Sequence, residues 1–248
     1  MRSKFRCAGL AGLLLAIAAA AGALPGTAGA ADVPNPPAPI DLGEHGWYFS
    51  GKGGPTFSTL SGVGSTDGHT INEDSASNAI GSFGMAAGYE WMYRYRIPLR
   101  TELEFMNRTE VTYDASPFLI GTPSGALAST VQNVTTMAKV YWHFPVESAT
   151  WWPFLSAGLG WSHNTVKSEF TPTGGGSTKF NHASEDLAWS VGTGISVKLG
   201  PNMMNDIEIR QVDLGQPDWG LPSGKNIETR SPMGFGATEL SFAIRLMF

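Results

Sequence analysis

Fifteen charged side chains alternate with apolar residues between Lys52 and Arg245, and they are the first candidates for chemistry in this sequence. Seven are basic and eight are acidic, so a face that enclosed all of them would be nearly neutral. Buried charges need partners, because removing one leaves the other uncompensated at a cost of several kcal/mol. We therefore predict an enclosed, salt-bridged network in which four arginines pair with four glutamates. The basic members are Lys52, Arg100, Arg108, Lys139, Lys198, Arg210 and Arg245; the acidic members are Glu90, Glu102, Glu104, Glu110, Asp186, Asp206, Glu208 and Glu239; and the predicted partners of the arginines are Glu102, Glu104, Glu208 and Glu239.

Nucleophile and metal-ligand patterns are weak in this chain. Ser162 and His163 are neighbours, but adjacent residues of a strand point to opposite faces and cannot hydrogen-bond as nucleophile and base. His143 is expected on the charged face, whereas His69 and His182 fall in predicted loops without metal-ligand spacing. We therefore predict no catalytic site, no metal and no cofactor, and His163 is the best candidate for an experimental check.

Segments with a period of two must position the charged side chains, because no helical period fits them better. In residues 97–113, Glu102 and Glu104 alternate with Leu103 and Phe105, and the same phase places Glu110 on the charged face. Similar alternation occurs in residues 134–144, 155–162, 186–200 and 239–248, and more weakly in residues 46–57, 79–91 and 205–213. The sequence therefore predicts eight strands, with the registers of the first and seventh left open.

The connections between these strands are alternately short and long. Residues 91–97, 145–152 and 200–205 are short links, whereas residues 58–78, 114–131, 164–185 and 214–232 are long, polar and rich in Gly, Ser, Thr, Asn and Pro. Short turns at one end and long loops at the other are typical of a transmembrane barrel, whose strands need only about nine to eleven residues to span a bilayer. We predict an all-β, eight-stranded antiparallel transmembrane β-barrel, an up-and-down meander with its long loops outside the cell.

The two faces of the predicted strands suit a barrel in lipid. The apolar face would form a continuous belt too large to leave in water, and it is expected to face lipid. The charged face carries glycines that relieve crowding inside a narrow barrel, whose interior has room only for its own side chains. These glycines are Gly84, Gly88, Gly158, Gly160, Gly192 and Gly194. Aromatic residues cluster near the short links and predict a girdle at the membrane interface: Trp47, Trp91, Tyr93, Tyr95, Trp142, Phe144, Trp151, Trp152, Phe154 and Phe248.

The N-terminal residues have the pattern of an export signal. Arg2, Lys4 and Arg6 precede an apolar stretch over residues 7–23, and small residues at 28–30 predict cleavage before Ala31. The predicted domains are therefore a signal peptide (1–30), a proline-rich periplasmic leader (31–45) and the barrel (46–248). Without the signal, 13 basic and 21 acidic residues remain, a net charge of −8 that argues against nucleic acid as a partner.

Several short stretches together resemble the OmpA-like outer-membrane β-barrel superfamily of Gram-negative bacteria, especially its single-domain, porin-like surface-antigen branch. They are GWYFSG at 46–51, GYEW at 88–91, RTELEF at 100–105, PFLSAGLGW at 153–161 and the terminal Phe248; residues 206–215 depart from the family pattern. The resemblance implies insertion into the outer membrane with both termini in the periplasm, and handling by periplasmic chaperones and the barrel-assembly machinery. The implied assembly signal comprises Phe242, Ile244, Leu246 and Phe248, which we expect to face lipid.

These observations predict an integral outer-membrane protein that supports envelope integrity and displays its loops, in the manner of an adhesin, with a lumen plugged by charged side chains. Its partners would be outer-membrane lipid, the assembly machinery and an extracellular ligand bound by the loops. A small passive porin-like channel is the alternative, and a lipid-modifying enzyme is the third choice. Bilayer conductance distinguishes the first two functions, and a lipid-modification assay tests the third.

Overall fold

The computed structural model describes residues 46–61, 76–119, 124–146, 150–217 and 234–248, whose eight antiparallel strands form a closed barrel in sequence order. The strands are β1 (Trp47–Ser61), β2 (Ala76–Glu90), β3 (Leu99–Leu119), β4 (Ser124–His143), β5 (Trp151–Pro172), β6 (Thr178–Gly200), β7 (Met203–Asp213) and β8 (Gly234–Met247). β1 pairs with β8, so the sheet has no open edge. The predicted fold class and strand number are confirmed. The predicted signal peptide and leader lie outside the described residues.

One end of the barrel, here called the short-turn end, holds the brief connections and the C-terminal residue. A single helical turn, α1 (Met92–Tyr95), joins β2 to β3, and Pro201 and Asn202 join β6 to β7. Phe248 lies at the same end, where its backbone N–H donates to the carbonyl of Trp47 at 3.0 Å. In the described ranges no helix has the length and apolarity to cross a membrane.

Side chains alternate between the barrel interior and an apolar exterior. On β5, the outward residues from Trp151 to Trp161 are apolar, and on β6 the outward apolar band begins at Leu187, the register partner of Trp161. Beyond this level the exposed residues include Lys167 and Lys179. The band on β5 covers about 11 residues, the length that a tilted strand needs to span a bilayer.

At the other end, β3–β4 and β5–β6 continue past the apolar band as long hairpins. Residues 114–119, 124–131, 164–172 and 178–185 were predicted as loop but are paired strand, so those predicted boundaries are wrong. The outward face of these strands carries polar residues such as Lys167, and the buried face of β5 includes Asn164 and Ser168, so their composition resembles that of a loop. Only residues 173–177 turn the chain between β5 and β6, with positive φ angles at Gly175 and Gly176.

A β-bulge interrupts the alternation of β3. The β3–β4 register shifts between Arg108 and Val111, which leaves Glu110 exposed and turns Val111 into the interior. The extra residue reverses the phase of the strand beyond it. The prediction that Glu110 faces the lumen is therefore wrong.

The aromatic girdle differs from the prediction at two positions. Trp47, Trp142 and Trp151 are exposed at the short-turn end, but Trp152 and Phe154 are buried inside the barrel. β5 begins at Trp151 rather than after the aromatic residues, so Trp152 and Phe154 have the same phase as the interior residues that follow them. The rings of Trp152 and Phe154 lie inside the barrel at its short-turn end.

Candidate functional site

The barrel interior contains a stack of charged residues, here called the lumen network, that starts at the short-turn end. β3 contributes three consecutive inward positions, Arg100, Glu102 and Glu104, because its period of two directs alternate side chains to one face. β7 contributes a second such row, Asp206, Glu208 and Arg210, and β8 contributes Glu239 and Arg245. Each of the other strands contributes a single buried charge or uncharged side chains. The result is three successive layers of ion pairs.

The layer nearest the short-turn end is centred on Asp206 of β7. Its carboxylate accepts hydrogen bonds from Arg100 Nη1 at 2.6 Å, Arg245 Nη2 at 2.9 Å and Ser196 Oγ at 2.7 Å. Arg245 Nη1 also donates to Glu90 Oε2 at 3.2 Å. One aspartate thus bridges arginines from β3 and β8.

The middle layer is centred on Lys52 of β1. Its ammonium group contacts the carboxylate of Glu102 and lies 2.8 Å from Glu104 Oε2. The hydroxyl groups of Tyr48 and Tyr141 each donate to Glu102 at 2.9 Å. Glu102 therefore has both an opposite charge and two neutral donors, as a buried carboxylate requires.

Lys139 completes the middle layer from β4. Its Nζ lies 3.0 Å from both carboxylate oxygens of Glu208 and 3.6 Å from Glu104 Oε2. Ser156 donates a further hydrogen bond to Glu208 at 2.5 Å. Glu104 is thereby shared between the two lysines of the layer.

The third layer is centred on Glu239 of β8, which lies between two arginines. Arg108 Nε donates to Glu239 Oε1 at 2.6 Å, and Arg210 Nε donates to Glu239 Oε2 at 2.7 Å. Arg210 Nη1 reaches Glu104 Oε1 at 2.6 Å, which connects this layer to the middle one. Arg108 Nη1 donates to Asn133 Oδ1 at 2.7 Å.

The network is electrically balanced and enclosed. Six buried bases face six buried acids, and the guanidinium carbon of Arg100 lies 3.7 Å from the centroid of the Tyr141 ring. Toward the long-hairpin end the lumen is filled by an apolar cluster that includes Val111, Val131 and Phe235. The buried charged residues are Lys52, Arg100, Arg108, Lys139, Arg210, Arg245, Glu90, Glu102, Glu104, Asp206, Glu208 and Glu239. Charged side chains thus plug the lumen.

Some partners differ from those predicted. Arg100 and Arg245 contact Asp206 rather than one of the predicted glutamates, and Glu102 and Glu208 are paired with lysines. The stagger of strands around a barrel sets which residues meet across the lumen. Alternation within one strand does not specify that stagger.

Three predicted members lie apart from the twelve buried charges. Lys198 is half-buried near the short-turn end, and Asp186 is half-buried toward the long hairpins, where it accepts from Asn164 Nδ2 at 3.3 Å. Glu110 lies on the exterior, within the bulge. Uncharged polar side chains that were not among the predicted site residues also take part. These residues alternate along their strands in the same phase as the buried charges, and that shared phase could have predicted them. They are Tyr48, Asn133, Tyr141, Ser156 and Ser196.

The serine and histidine residues that were considered as catalytic or metal-binding candidates lie in different parts of the barrel. Ser162 is buried and accepts a hydrogen bond from Asn133 Nδ2, whereas His163 is on the exterior with its Nδ1 3.7 Å from Glu185. His143 is buried near the short-turn end, 3.9 Å from Glu90. His182 lies in β6 rather than in the predicted loop, and His69 lies outside the described residues. No group of three metal-binding side chains occurs in the part of the chain that the structure describes.

The C-terminal strand presents the four residues of the predicted assembly signal to the exterior. Phe242, Ile244, Leu246 and Phe248 are all exposed, and the inward positions between them include Arg245. The Phe248 ring stacks on Phe49 with a centroid distance of 5.4 Å. The terminal aromatic therefore lies at the β1–β8 junction that closes the barrel.

Known proteins resemble this chain over most of its length. Outer membrane protein PagN of Salmonella typhimurium (strain LT2) is 27% identical over 184 residues, which cover 70% of this chain and 76% of PagN. Among solved structures, Neisserial surface protein A is 19% identical, with a TM-score of 0.43 and coverage of 82% and 97% of the two chains. Ail, the attachment invasion locus protein of Yersinia pestis, solved with the heparin analogue sucrose octasulfate, is 13% identical, with a TM-score of 0.44 and coverage of 81% and 99%.

A family model described as the outer membrane protein beta-barrel domain matches residues 10–237. This range includes seven complete strands of the observed barrel and the start of the eighth. The match agrees with the apolar exterior and with the family resemblance in the sequence. The chain belongs to the outer membrane protein beta-barrel domain family and is an integral protein of the outer membrane.

Proposed function

We propose that this protein is a structural component of the outer membrane that supports envelope integrity, displays its long hairpins at the cell surface and does not conduct ions. The observation that carries the proposal is the lumen network, in which six buried bases are balanced by six buried acids. A permeating ion would have to separate pairs such as Arg210 and Glu104, whose atoms are 2.6 Å apart. Separation of a buried pair is strongly unfavourable.

Conductance in a planar lipid bilayer tests the closed lumen. We expect no steady conductance from the purified wild-type protein. A porin of known conductance, inserted under the same conditions, shows that the assay detects an open lumen. A variant with Glu104, Arg108, Arg210 and Glu239 all replaced by Ser removes two charges of each sign from the middle and third layers and tests whether these pairs contribute to closure. Steady, large conductance from the wild type would refute the proposal and favour the alternative, a small passive channel.

The proposed orientation places the short-turn end and both termini in the periplasm. Its support is the asymmetry of the barrel, since outer-membrane barrels have short periplasmic turns and longer extracellular connections. The β5–β6 hairpin carries exposed Lys167 and Lys179 beyond the apolar band, and Lys179 pairs with half-buried Glu169. These polar hairpins are the surface that would meet an extracellular ligand.

Cysteine labelling on intact cells tests the orientation. Cys7, the only cysteine, lies in the predicted signal peptide, so an introduced cysteine gives a unique site after export. A membrane-impermeant maleimide is expected to label Gly174→Cys, at a position where an added Cβ meets no atom within 4 Å. Pro201→Cys, in the β6–β7 turn, is expected to react only after the cells are opened. The reverse labelling pattern would overturn the orientation.

We propose that the protein is not an enzyme. The support is that Ser162 and His163 point to opposite sides of the barrel wall. His163→Ala is expected to leave the release or modification of outer-membrane lipid unchanged, measured by mass spectrometry of the lipid fraction. A loss of lipid product in this variant would favour a lipid-modifying enzyme.

Outer-membrane lipid, periplasmic chaperones and the barrel-assembly machinery are the proposed partners during and after insertion. An envelope role predicts that cells lacking the protein become more sensitive to detergent. Wild-type protein should restore resistance, and the quadruple Ser variant of the lumen provides a comparison in which the surface is unchanged. Equal detergent resistance with and without the protein would remove the envelope role.

A further inference from the structure

A groove of about 470 Å³ runs along the barrel exterior near the short-turn end. One wall is aromatic and the other is aliphatic, and small residues form the floor. The aromatic wall is Trp47, Tyr89, Trp91 and Tyr95, the aliphatic wall is Leu103 and Val140, and the floor includes Ala87, Thr101 and Ala138. The groove opens toward lipid.

The strand register creates this depression. Ala87 and Ala138 are both register partners of Leu103, so two alanines flank one leucine across three strands. Thr101 similarly lies between Tyr89 and Val140. The short side chains therefore leave depressions on both sides of Leu103, which projects between the two alanines.

The aromatic wall is ordered by mutual contacts. Successive ring centroids are 5.1 Å apart for Trp47 and Tyr89, 5.2 Å for Tyr89 and Trp91, and 5.5 Å for Trp91 and Tyr95. Trp91 Nε1 also donates to Thr101 Oγ1 at 2.9 Å. The wall is therefore a fixed surface, with polar ring atoms suited to the boundary between acyl chains and headgroups.

Two arginines border the aromatic end of the groove. Arg94 and Arg96 are exposed in the β2–β3 turn, and residues 92–99 contain no acid. The guanidinium carbon of Arg94 lies 6.0 Å from the Tyr95 ring centroid. Arg96 has a φ of 54°, a conformation that Gly or Asn adopts more easily. The turn itself therefore does not require an arginine at this position, and the charge of the side chain is its distinctive contribution.

We propose that this groove binds one glycerophospholipid from the periplasmic leaflet of the outer membrane. Its two acyl chains would lie over Ala87 and Ala138, on either side of Leu103. Arg94 and Arg96 would bind the phosphate, because a guanidinium group pairs with phosphate through parallel hydrogen bonds. The choice of leaflet rests on the proposed orientation, whereas the chemistry of the site does not.

Native mass spectrometry of folded protein in nonionic detergent tests the site, with phosphatidylglycerol added in increasing amounts. We expect one phosphatidylglycerol to saturate the wild type. The double variant Arg94→Gln with Arg96→Asn removes two charges while Asn retains access to the positive φ, and we expect binding about 30-fold weaker, since each basic residue near an anionic surface contributes roughly fivefold. Lys167→Gln with Lys179→Gln removes two exposed charges at the other end and is expected to bind like the wild type.

Further measurements distinguish binding of the lipid headgroup from binding of the acyl chains. Diacylglycerol with the same acyl chains is expected to bind much more weakly than phosphatidylglycerol, and inorganic phosphate is expected not to displace the lipid. Ala138→Phe fills the groove from an exposed position and leaves both arginines in place, and we expect it to lose the bound lipid. Heat-modifiable gel mobility confirms that each variant is folded.

Equal affinity of the wild type and the Arg94 and Arg96 double variant for phosphatidylglycerol would overturn the proposal. So would equal binding of diacylglycerol, displacement by inorganic phosphate, or preferential saturation of the groove by lipid A. These assays use detergent micelles, so they do not depend on lumen conductance or on orientation. Failure here is therefore distinct from failure of the proposed function, which the conductance and labelling experiments test.

Discussion

Replacement of Glu239 by Gln is the most direct test of the lumen network. Glu239 is buried and accepts hydrogen bonds from Arg108 Nε at 2.6 Å and Arg210 Nε at 2.7 Å. Glutamine has nearly the same shape but no charge. Arg210 would keep its contact with Glu104 at 2.6 Å, whereas Arg108 would keep only neutral acceptors such as Asn133.

The expected loss follows from the charge left on Arg108. Breaking a buried ion pair by removing one partner destabilises a protein by about 3–5 kcal/mol, because the remaining charge is uncompensated. The amide oxygen of glutamine can still accept one hydrogen bond, so we expect a loss at the lower end, about 3 kcal/mol in the free energy of unfolding. The double variant Arg108→Gln with Glu239→Gln removes the uncompensated charge and should be more stable than Glu239→Gln alone.

Glu110→Gln supplies a matched control, because the chemical change is identical and Glu110 is exposed in the β3 bulge. We expect it to change the free energy of unfolding by less than about 0.5 kcal/mol. Urea unfolding in detergent micelles, followed by tryptophan fluorescence and gel mobility, measures all three variants. Equal losses for Glu239→Gln and Glu110→Gln, or a more stable Glu239→Gln protein, would refute the reasoning.

Two further predictions concern packing and assembly. Gly160→Ala would place a Cβ 2.0 Å from the backbone oxygen of Thr136, so we expect a loss of about 1–3 kcal/mol in urea unfolding, whereas Gly51→Ala meets nothing within 4 Å and should be nearly neutral. Similar stability of the two alanine variants would contradict this account. Deletion of Phe248 is expected to lower the heat-modifiable, assembled fraction more than total synthesis in a pulse-chase experiment. Phe49→Leu removes only the ring that Phe248 stacks on, and if it reduces assembly as much as the deletion, the terminal residue has no separate signalling role.

Alternation along the strands was sufficient to predict the fold and most of the interior. A period of two places Arg100, Glu102 and Glu104 on one face, and no other arrangement of a single strand is consistent with it. Opposite them, Leu103 and Phe105 are exposed on the exterior, as the lipid-facing interpretation required. The fold could therefore be predicted from alternation within single strands, which recurs in each of them.

Features that depend on geometry between strands were not predictable in the same way. The bulge includes Glu110 and lies in a run of polar residues that includes Arg108 and Thr109. The alternation of apolar and polar residues therefore gives no sign that the strand changes phase there. The choice of Asp206 as the partner of Arg100 depends on the barrel stagger rather than on either strand alone. The long hairpins were missed because their outward residues are polar and their buried residues include Asn164 and Ser168, which gives these strands the composition of loops.

The lumen network also has a consequence for how the chain reaches its final state. Its pairs join residues far apart in sequence, such as Arg108 with Glu239, 131 residues away, and Arg245 with Glu90, 155 residues away. Such contacts form only when the first and last strands meet, so the charges stay hydrated for as long as the chain is open. Before insertion these charges help strands with apolar outward residues to remain compatible with water. After closure the same residues favour one strand alignment, because a slipped strand would leave charges unpaired in the interior.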